Sequence, residues 1–257
     1  MKVLAVGDLV GENGLEKLKK NLKNLQEAEN IDFTIVNSEN VAGGMGISSK
    51  IFQELNRMDI DVLTMGNHTW GKKDIFSFIT NPKIIRPANY SKGVPGHGYT
   101  VIEKNGIKIG VINLIGRTDM SILSENPFTR IDEIIESLNK ENVNIKILDF
   151  HAEATAEKIA MGYYVDGRIT AIFGTHTHVQ TADEKILEKG TGYITDIGMT
   201  GPEKSVIGMD IDTSLKRFVT SLPERYKLAD GKCMLNGVIF EIDVEKNRTT
   251  DIYRINV

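Results

Sequence analysis

Ile169-Thr170-Ala171-Ile172-Phe173 runs directly into Gly174-Thr175-His176-Thr177-His178. The first five residues are apolar and β-branched, and they predict a short buried strand. Gly174 lets the backbone turn at its end. The turn carries two imidazoles, one residue apart, to the carboxyl end of the strand, where open α/β sheets build their sites. Neutral imidazole is the commonest side-chain metal ligand, so the pair can clamp one ion or serve two adjacent ions. By itself His-x-His is weak evidence, because two polar histidines in a surface loop would read the same way.

Four further polar clusters follow predicted buried strands. Gly7-Asp8 follows Val3–Val6, Asn37-Ser38-Glu39-Asn40 follows Phe33–Val36, Gly66-Asn67-His68 follows Val62–Met65, and His151 follows Ile145–Phe150. In a parallel or mixed sheet those ends converge on one edge. Together the clusters offer the carboxylates of Asp8 and Glu39, the amides of Asn40 and Asn67, and the imidazoles of His68, His151, His176 and His178. That is more than one metal ion needs and about right for two. Mixed oxygen and nitrogen donors suit Mn, Fe, Zn or Co rather than Ca. Each position also has a plain reading: a cap or turn for Asp8, solvated loop for Glu39 and Asn40, a turn for Asn67, a satisfied core histidine for His151. The joint pattern outweighs them. For His97, Cys233 and Trp70 the plain readings stand: loop, buried thiol and packing aromatic.

Between the strands lie helical patterns, which argues for a layered α/β fold. Leu15, Leu18, Leu22 and Leu25 recur at helical spacing, and Ser48 is placed to cap a helix carrying Ile51, Phe52, Leu55 and Met58. Further helices are expected around Ile75–Ile79, Ile131–Leu138, Glu153–Tyr163 and Leu215–Leu222. Tyr193–Ile197 reads as one more strand. Tyr99–Glu103 and Lys108–Leu114 form a hairpin across Asn105-Gly106, and Met234–Val244 and Thr250–Ile255 close the chain as a second hairpin. No repeat or linker is visible, so residues 1–257 read as one domain. Residues 86–127 are less regular and are expected to form a hairpin or insert on the substrate side.

Composition narrows the field. The net charge is only −4 and no long run of one sign occurs. This argues against a double-stranded nucleic-acid groove and a polybasic membrane anchor. A single cysteine rules out an internal disulfide, and a reducing cytoplasm is the expected home. The apolar part of the N-terminus is too short for a signal peptide, and no stretch approaches the roughly 20 apolar residues of a membrane span. A homo-oligomer is compatible with the chain.

The order of the clusters resembles that of the calcineurin-like metallophosphoesterases: Gly66-Asn67-His68 for their Gly-Asn-His block, Gly174 to His178 for their closing Gly-His-x-His block, and His151 for the lone histidine between. More narrowly, the chain resembles the YmdB family of bacterial phosphodiesterases from end to end. Gly7-Asp8 with Gly11 and Gly14, Asn37 to Asn40, Gly66 to Trp70, Phe150 to Glu153 and Asp196 to Gly201 all fit. Two features depart from the broad superfamily. Asp8-Leu9-Val10 stands where Asp-x-His is usual, and Glu39 where a bridging aspartate is usual. Both fit the narrower family.

The resemblance implies a four-layer α-β-β-α sandwich. It also implies two divalent or trivalent transition-metal ions, iron or manganese first, with zinc or cobalt as alternatives. Glu39 would bridge them. Asp8, Asn40 and His178 would hold the first, and Asn67, His151 and His176 the second. Water shared between two ions loses a proton near neutral pH and can attack phosphorus in line. His68, next to the ligand Asn67, is then the expected general acid. The implied substrate is a small cyclic nucleotide, chiefly a 2′,3′-cyclic monophosphate. A phosphomonoesterase acting on nucleotides or phosphoproteins, and a nucleotide-sensing regulatory protein with little turnover, are the alternatives.

Overall fold

Strand β1 (Lys2–Val6) alternates its side chains, and the alternation splits the core. Leu4 and Val6 face one hydrophobic layer, while Val3 and Ala5 face another, as the two-residue period of a strand requires. The computed structural model describes residues 1–257. In chain order the elements are β1, β2 (Asp8–Leu9), α1 (Gly11–Glu29), β3 (Phe33–Asn37), α2 (Ser49–Asn56), β4 (Val62–Thr64), β5 (Ile84–Ile85), β6 (Tyr99–Lys104) and β7 (Ile107–Ile115). There follow α3 (Pro127–Lys140), β8 (Ile145–His151), α4 (Thr155–Val165), β9 (Ala171–Thr175), β10 (Lys185–Ile186), β11 (Gly192–Ile194), β12 (Met199–Pro202), α5 (Ile211–Thr220), β13 (Cys233–Asp243) and β14 (Arg248–Asn256).

Two sheets form. One runs β2-β12-β13-β1-β3-β4-β5 with β14 on β13, and the other runs β10-β11-β9-β8-β7-β6. Ala5, Ile35 and Val62 of the first meet Val111, Ile147 and Phe173 of the second in a buried layer between them. Leu15 and Leu18 of α1 with Ile51 and Leu55 of α2 cover the outer face of the first sheet. Ile131 and Ile134 of α3 with Met161 and Val165 of α4 cover the outer face of the second. This is the four-layer α-β-β-α sandwich. β1, β3 and β4 run parallel, as do β7, β8 and β9. The loops after β3, β4, β8 and β9 therefore leave at carboxyl ends.

Most expected elements form, with shifts that have local causes. Ser48 caps α2 by accepting from the Ile51 N–H. The helix expected at Ile75–Ile79 is a single 3₁₀ turn, Lys73–Ser77. Phe78 leaves the helical region at φ −139° and ends it, and 3₁₀ pieces are short. Cys233 is half-buried rather than buried. It begins β13 and pairs with Pro202, the last residue of β12, at the sheet margin. The Tyr99–Lys104 hairpin forms the edge of the second sheet. No helix is long and apolar enough to cross a membrane.

Candidate metal centre

Two-residue strand β2 fixes Asp8. Its neighbour β12 pairs Met199 with Asp8 and Thr200 with Leu9, and the Asp8 N–H donates to the Gly198 carbonyl at 3.1 Å. Asp8 caps no helix; Val10 takes the capping position of α1 without a side-chain bond. The Asp8 side chain is fully buried. Oδ2 accepts from the His176 N–H at 3.3 Å, and Oδ1 has no partner. An unpaired buried carboxylate oxygen is costly, and a cation would satisfy it.

His178 lies 4.0 Å from that oxygen through Nε2. Its Nδ1 donates to the Ile207 carbonyl at 2.9 Å, so the Nε2 lone pair points inward, as a ligand requires. Asn40 Nδ2 meets that Nε2 at 2.9 Å and Glu39 Oε1 at 3.2 Å. The same Glu39 oxygen lies 3.1 Å from His151 Nε2. Asn67 Oδ1 and His176 Nδ1 also converge on His151 Nε2, at 2.9 and 3.0 Å. Potential ligand atoms of Glu39, His151 and His176 all lie within 4.8 Å of one another. Six of the seven candidate ligands thus turn a donor atom into two groups that meet at one carboxylate, while Asn40 turns its amide nitrogen to them and its oxygen to His68.

The second group also favours a positive charge. Thr175 Oγ1 donates to Asp149 Oδ1 at 2.7 Å, which leaves it to accept from His151 Nδ1–H at 2.8 Å. Neutral His151 would then turn an Nε2 lone pair towards the oxygens of Asn67 and Glu39. Burial opposes a charge on His151, yet Glu39 and Asp8 outweigh it and raise its pKa to about 9. Burial and the neighbouring His151 push His176 down to about 3. Burial also acts on Glu39, but His151 and His68 hold it well below the usual carboxylate range. A cation at this point would replace the proton that the site attracts. Gly66 keeps the space: a Cβ there would lie 2.3 Å from Glu39 Oε2 and 2.4 Å from His151 Cδ2.

His68 sits at the edge of this packing, its Nδ1 3.4 Å from Glu39 Oε1. Its backbone N–H donates to Glu39 Oε2 at 3.1 Å, and its Nδ1 lies 2.7 Å from Asn40 Oδ1. The ring is about one-third exposed and lines a cleft of about 400 Å³. The loop at Gly43–Met45 with Ile207, Met209, Tyr226 and Leu228 also lines the cleft, and residues 86–127 line none of it. His97 is remote and reaches only the Thr80 carbonyl. Trp70 stacks on Phe76 at 5.4 Å, a packing aromatic.

Comparison with known proteins places the chain in a family. A family model described as YmdB-like protein matches residues 4–255. The chain belongs to the YmdB-like family. A relative from Bacillus subtilis named 2′,3′-cyclic-nucleotide 2′-phosphodiesterase is 48% identical, covering 99% of this chain and 96% of its own length. The crystal structure of a novel phosphatase from Mycoplasma pneumoniae superposes with a TM-score of 0.94 at 38% identity, over 100% of this chain and 93% of that one. A 5′-nucleotidase precursor from Thermus thermophilus, at 12% identity and TM-score 0.57, covers 100% of this chain and 54% of that one and shares the fold.

Several residues that shape the centre of this YmdB-like chain take no role from the sequence alone, although Glu153 and Asp196 fall in blocks that carry the resemblance. Glu153 Oε2 meets His176 Nε2 at 3.1 Å and orients that ring. Buried Asp149, raised by burial to about 7, accepts from Thr175 and from Asn37 Nδ2 at 3.2 Å, across the two sheets. Lys158 and Asp196 pair at 2.7 Å in full burial, and Asp196 also accepts from the Thr177 N–H at 3.1 Å. Asp149 and Lys158 are buried polar residues inside a strand and a helix, positions that need partners, while Glu153 and Asp196 lie in loops; only the folded chain shows which partner each has.

Proposed function

We propose that this chain is a metal-dependent phosphodiesterase that opens cyclic nucleotides, 2′,3′-cyclic monophosphates first. The observation that carries the reading is Glu39 Oε1, which reaches Asn40 Nδ2 at 3.2 Å on one side and His151 Nε2 at 3.1 Å on the other. Two ions would be held there, one by Asp8, Asn40 and His178, the other by Asn67, His151 and His176, with Glu39 common to both. When bound, such a pair supplies Lewis acidity towards phosphoryl oxygens and lowers the pKa of water. The Bacillus subtilis relative's name supports a cyclic nucleotide as substrate.

The protein's own part is positioning and proton transfer. Ile207 and Thr175 hold the tautomers of His178 and His151 so that their Nε2 atoms face inward. Asn40 Oδ1 engages Nδ1 of His68, which leaves Nε2 as the atom to carry a proton to the departing ribose oxygen. No serine or cysteine lines the cleft, so a covalent enzyme intermediate has no attacking group of that kind.

Elemental analysis of protein purified without added metal, joined to a panel of 2′,3′- and 3′,5′-cyclic nucleotides and aryl phosphate mono- and diesters, tests the reading. About two transition-metal ions per chain and preferred turnover of 2′,3′-cyclic substrates are expected. Faster turnover of the monoesters would make the chain a phosphatase instead. Tight nucleotide binding with negligible turnover by the metal-loaded protein would make it a sensor.

A further inference from the structure

The cleft has two unlike walls. One carries the polar groups described above. The other presents Met45, Ile207, Met209, Tyr226 and Leu228, of which Met45, Ile207 and Tyr226 are 46%, 50% and 68% exposed. Large apolar side chains left open beside a polar centre need an explanation. Two details show that this wall is held in place. Ile207 has φ of +48°, a left-handed conformation that a β-branched residue adopts only when its surroundings impose it. Its carbonyl is the acceptor that fixes His178. Leu228 bridges to Met209 and fills the space beside Gly11 and Gly44, which anchors the segment carrying Tyr226. Arg217 Nη1 donates to the Tyr226 hydroxyl at 3.0 Å and its guanidinium lies over one face of the ring, 5.5 Å from the centroid, which fixes the ring.

We propose that Tyr226, flanked by Met45 and Ile207, is the platform on which the substrate's nucleobase stacks. The proposal rests on the cyclic-nucleotide reading and extends it to the base. A nucleotide joins a charged phosphate to a flat apolar ring, and the cleft offers matching walls in one cavity of about 400 Å³. On the apolar wall the Tyr226 hydroxyl already meets Arg217, and the Gly43 and Gly44 N–H groups already donate to the carbonyls of Val41 and Asn40. Few groups remain to read base edges. Stacking alone is tolerant, because every base has a π face. The cleft therefore accepts all four bases, purines ahead of pyrimidines.

Calorimetry on the metal-loaded enzyme tests this separately from turnover. Adenosine 3′-monophosphate and inorganic phosphate are titrated into the natural protein, Tyr226→Ala and Tyr226→Trp. The ratio of nucleotide to phosphate affinity is expected to fall about 5- to 150-fold in Tyr226→Ala, the range of one lost base stack, and to recover in Tyr226→Trp. An unchanged ratio, an equal loss for both ligands, or nucleotide binding no tighter than phosphate in the natural protein overturns the platform. If the natural protein hydrolyses no cyclic nucleotide yet binds the monophosphate through Tyr226, the platform stands and the assigned reaction falls.

Discussion

Asn40 joins two histidines: its side-chain oxygen lies 2.7 Å from His68 Nδ1 and its amide nitrogen 2.9 Å from His178 Nε2. His68 is thus tied to the first group of ligands without belonging to it. Its bond to Glu39 Oε2 is made by the backbone N–H, so it survives removal of the side chain. His68→Ala should keep its full metal content and lose about 10²–10⁴-fold in turnover, the usual worth of a general acid. Elemental analysis and kinetics on the same sample decide; a variant stripped of metal would give His68 a different role.

Glu39 and Asn67 should differ in how many ions they cost. Asn67 approaches only the His151 and His176 group, through His151 Nε2 at 2.9 Å. Glu39 touches both groups. Asn67→Ala should drop the metal content from two to about one, and Glu39→Ala should abolish it. Any ion that binds the folded state alone stabilises it, by about 2.7 kcal/mol at one hundred times its dissociation constant. The Tm of the natural protein should therefore fall on chelation and that of Glu39→Ala should not move. Equal metal contents in the two variants would contradict a shared carboxylate.

Gly66→Ala tests the space between Glu39 and His151. The added methyl would sit 2.3 Å from Glu39 Oε2 and 2.4 Å from His151 Cδ2, closer than such contacts allow. Both groups must move, and a misplacement near 1 Å can cost about 10²-fold in rate. The expected variant folds but binds metal weakly and turns over poorly. Normal activity would show that the site tolerates a wider arrangement.

Asp183 gives a pH dependence away from the ligands. Burial raises its pKa, but bonds from the hydroxyls of Thr195 and Thr181 outweigh that and lower it. A folded-state pKa below the unfolded value contributes stability above the unfolded pKa, and the contribution is lost as pH falls through the folded one. Asp183→Asn should therefore melt below the natural protein at pH 7, with the gap closing in the acid range below about pH 4. Melting curves at several pH values check it; a gap that widens in acid reverses the assignment.

The gathering of the candidate residues was largely legible in the sequence because they sit where strands stop. Asp8, Glu39, Asn67, His151 and His176 each follow a short apolar run, and that position is a local signal. The stacking of two sheets was not: strand periodicity shows that Val3 and Leu4 face opposite ways but not what each meets, and only the family resemblance supplied the layers. The wall from 207 to 228 was also invisible, because Met209 and Leu228 pair across a long separation with no periodic pattern between them. The expected placement of 86–127 on the substrate side came from irregularity alone, and that segment lines none of the cleft.

Lys158 gives the strongest test of how the scaffold supports the histidines. Its ammonium lies 2.7 Å from Asp196 Oδ2, and both side chains are at most 2% exposed. The Asp196 carboxylate also accepts from the Thr177 N–H at 3.1 Å and from the Gly198 N–H at 2.9 Å. Thr177 lies between His176 and His178, and Gly198 accepts from Asp8. One carboxylate thus ties the loop carrying His178 to the turn that pairs with Asp8. Removing one partner of a buried pair leaves an uncompensated charge and costs about 3–5 kcal/mol. For a chain of this size that is a fall in Tm of roughly 6–20 °C. Lys158→Met should show that fall together with weaker metal binding. Adding Asp196→Asn should recover part of the Tm, because the stranded charge goes, but not the metal affinity, because the loop loses its anionic acceptor. Recovery of both would mean that the pair stabilises the fold without positioning the histidines.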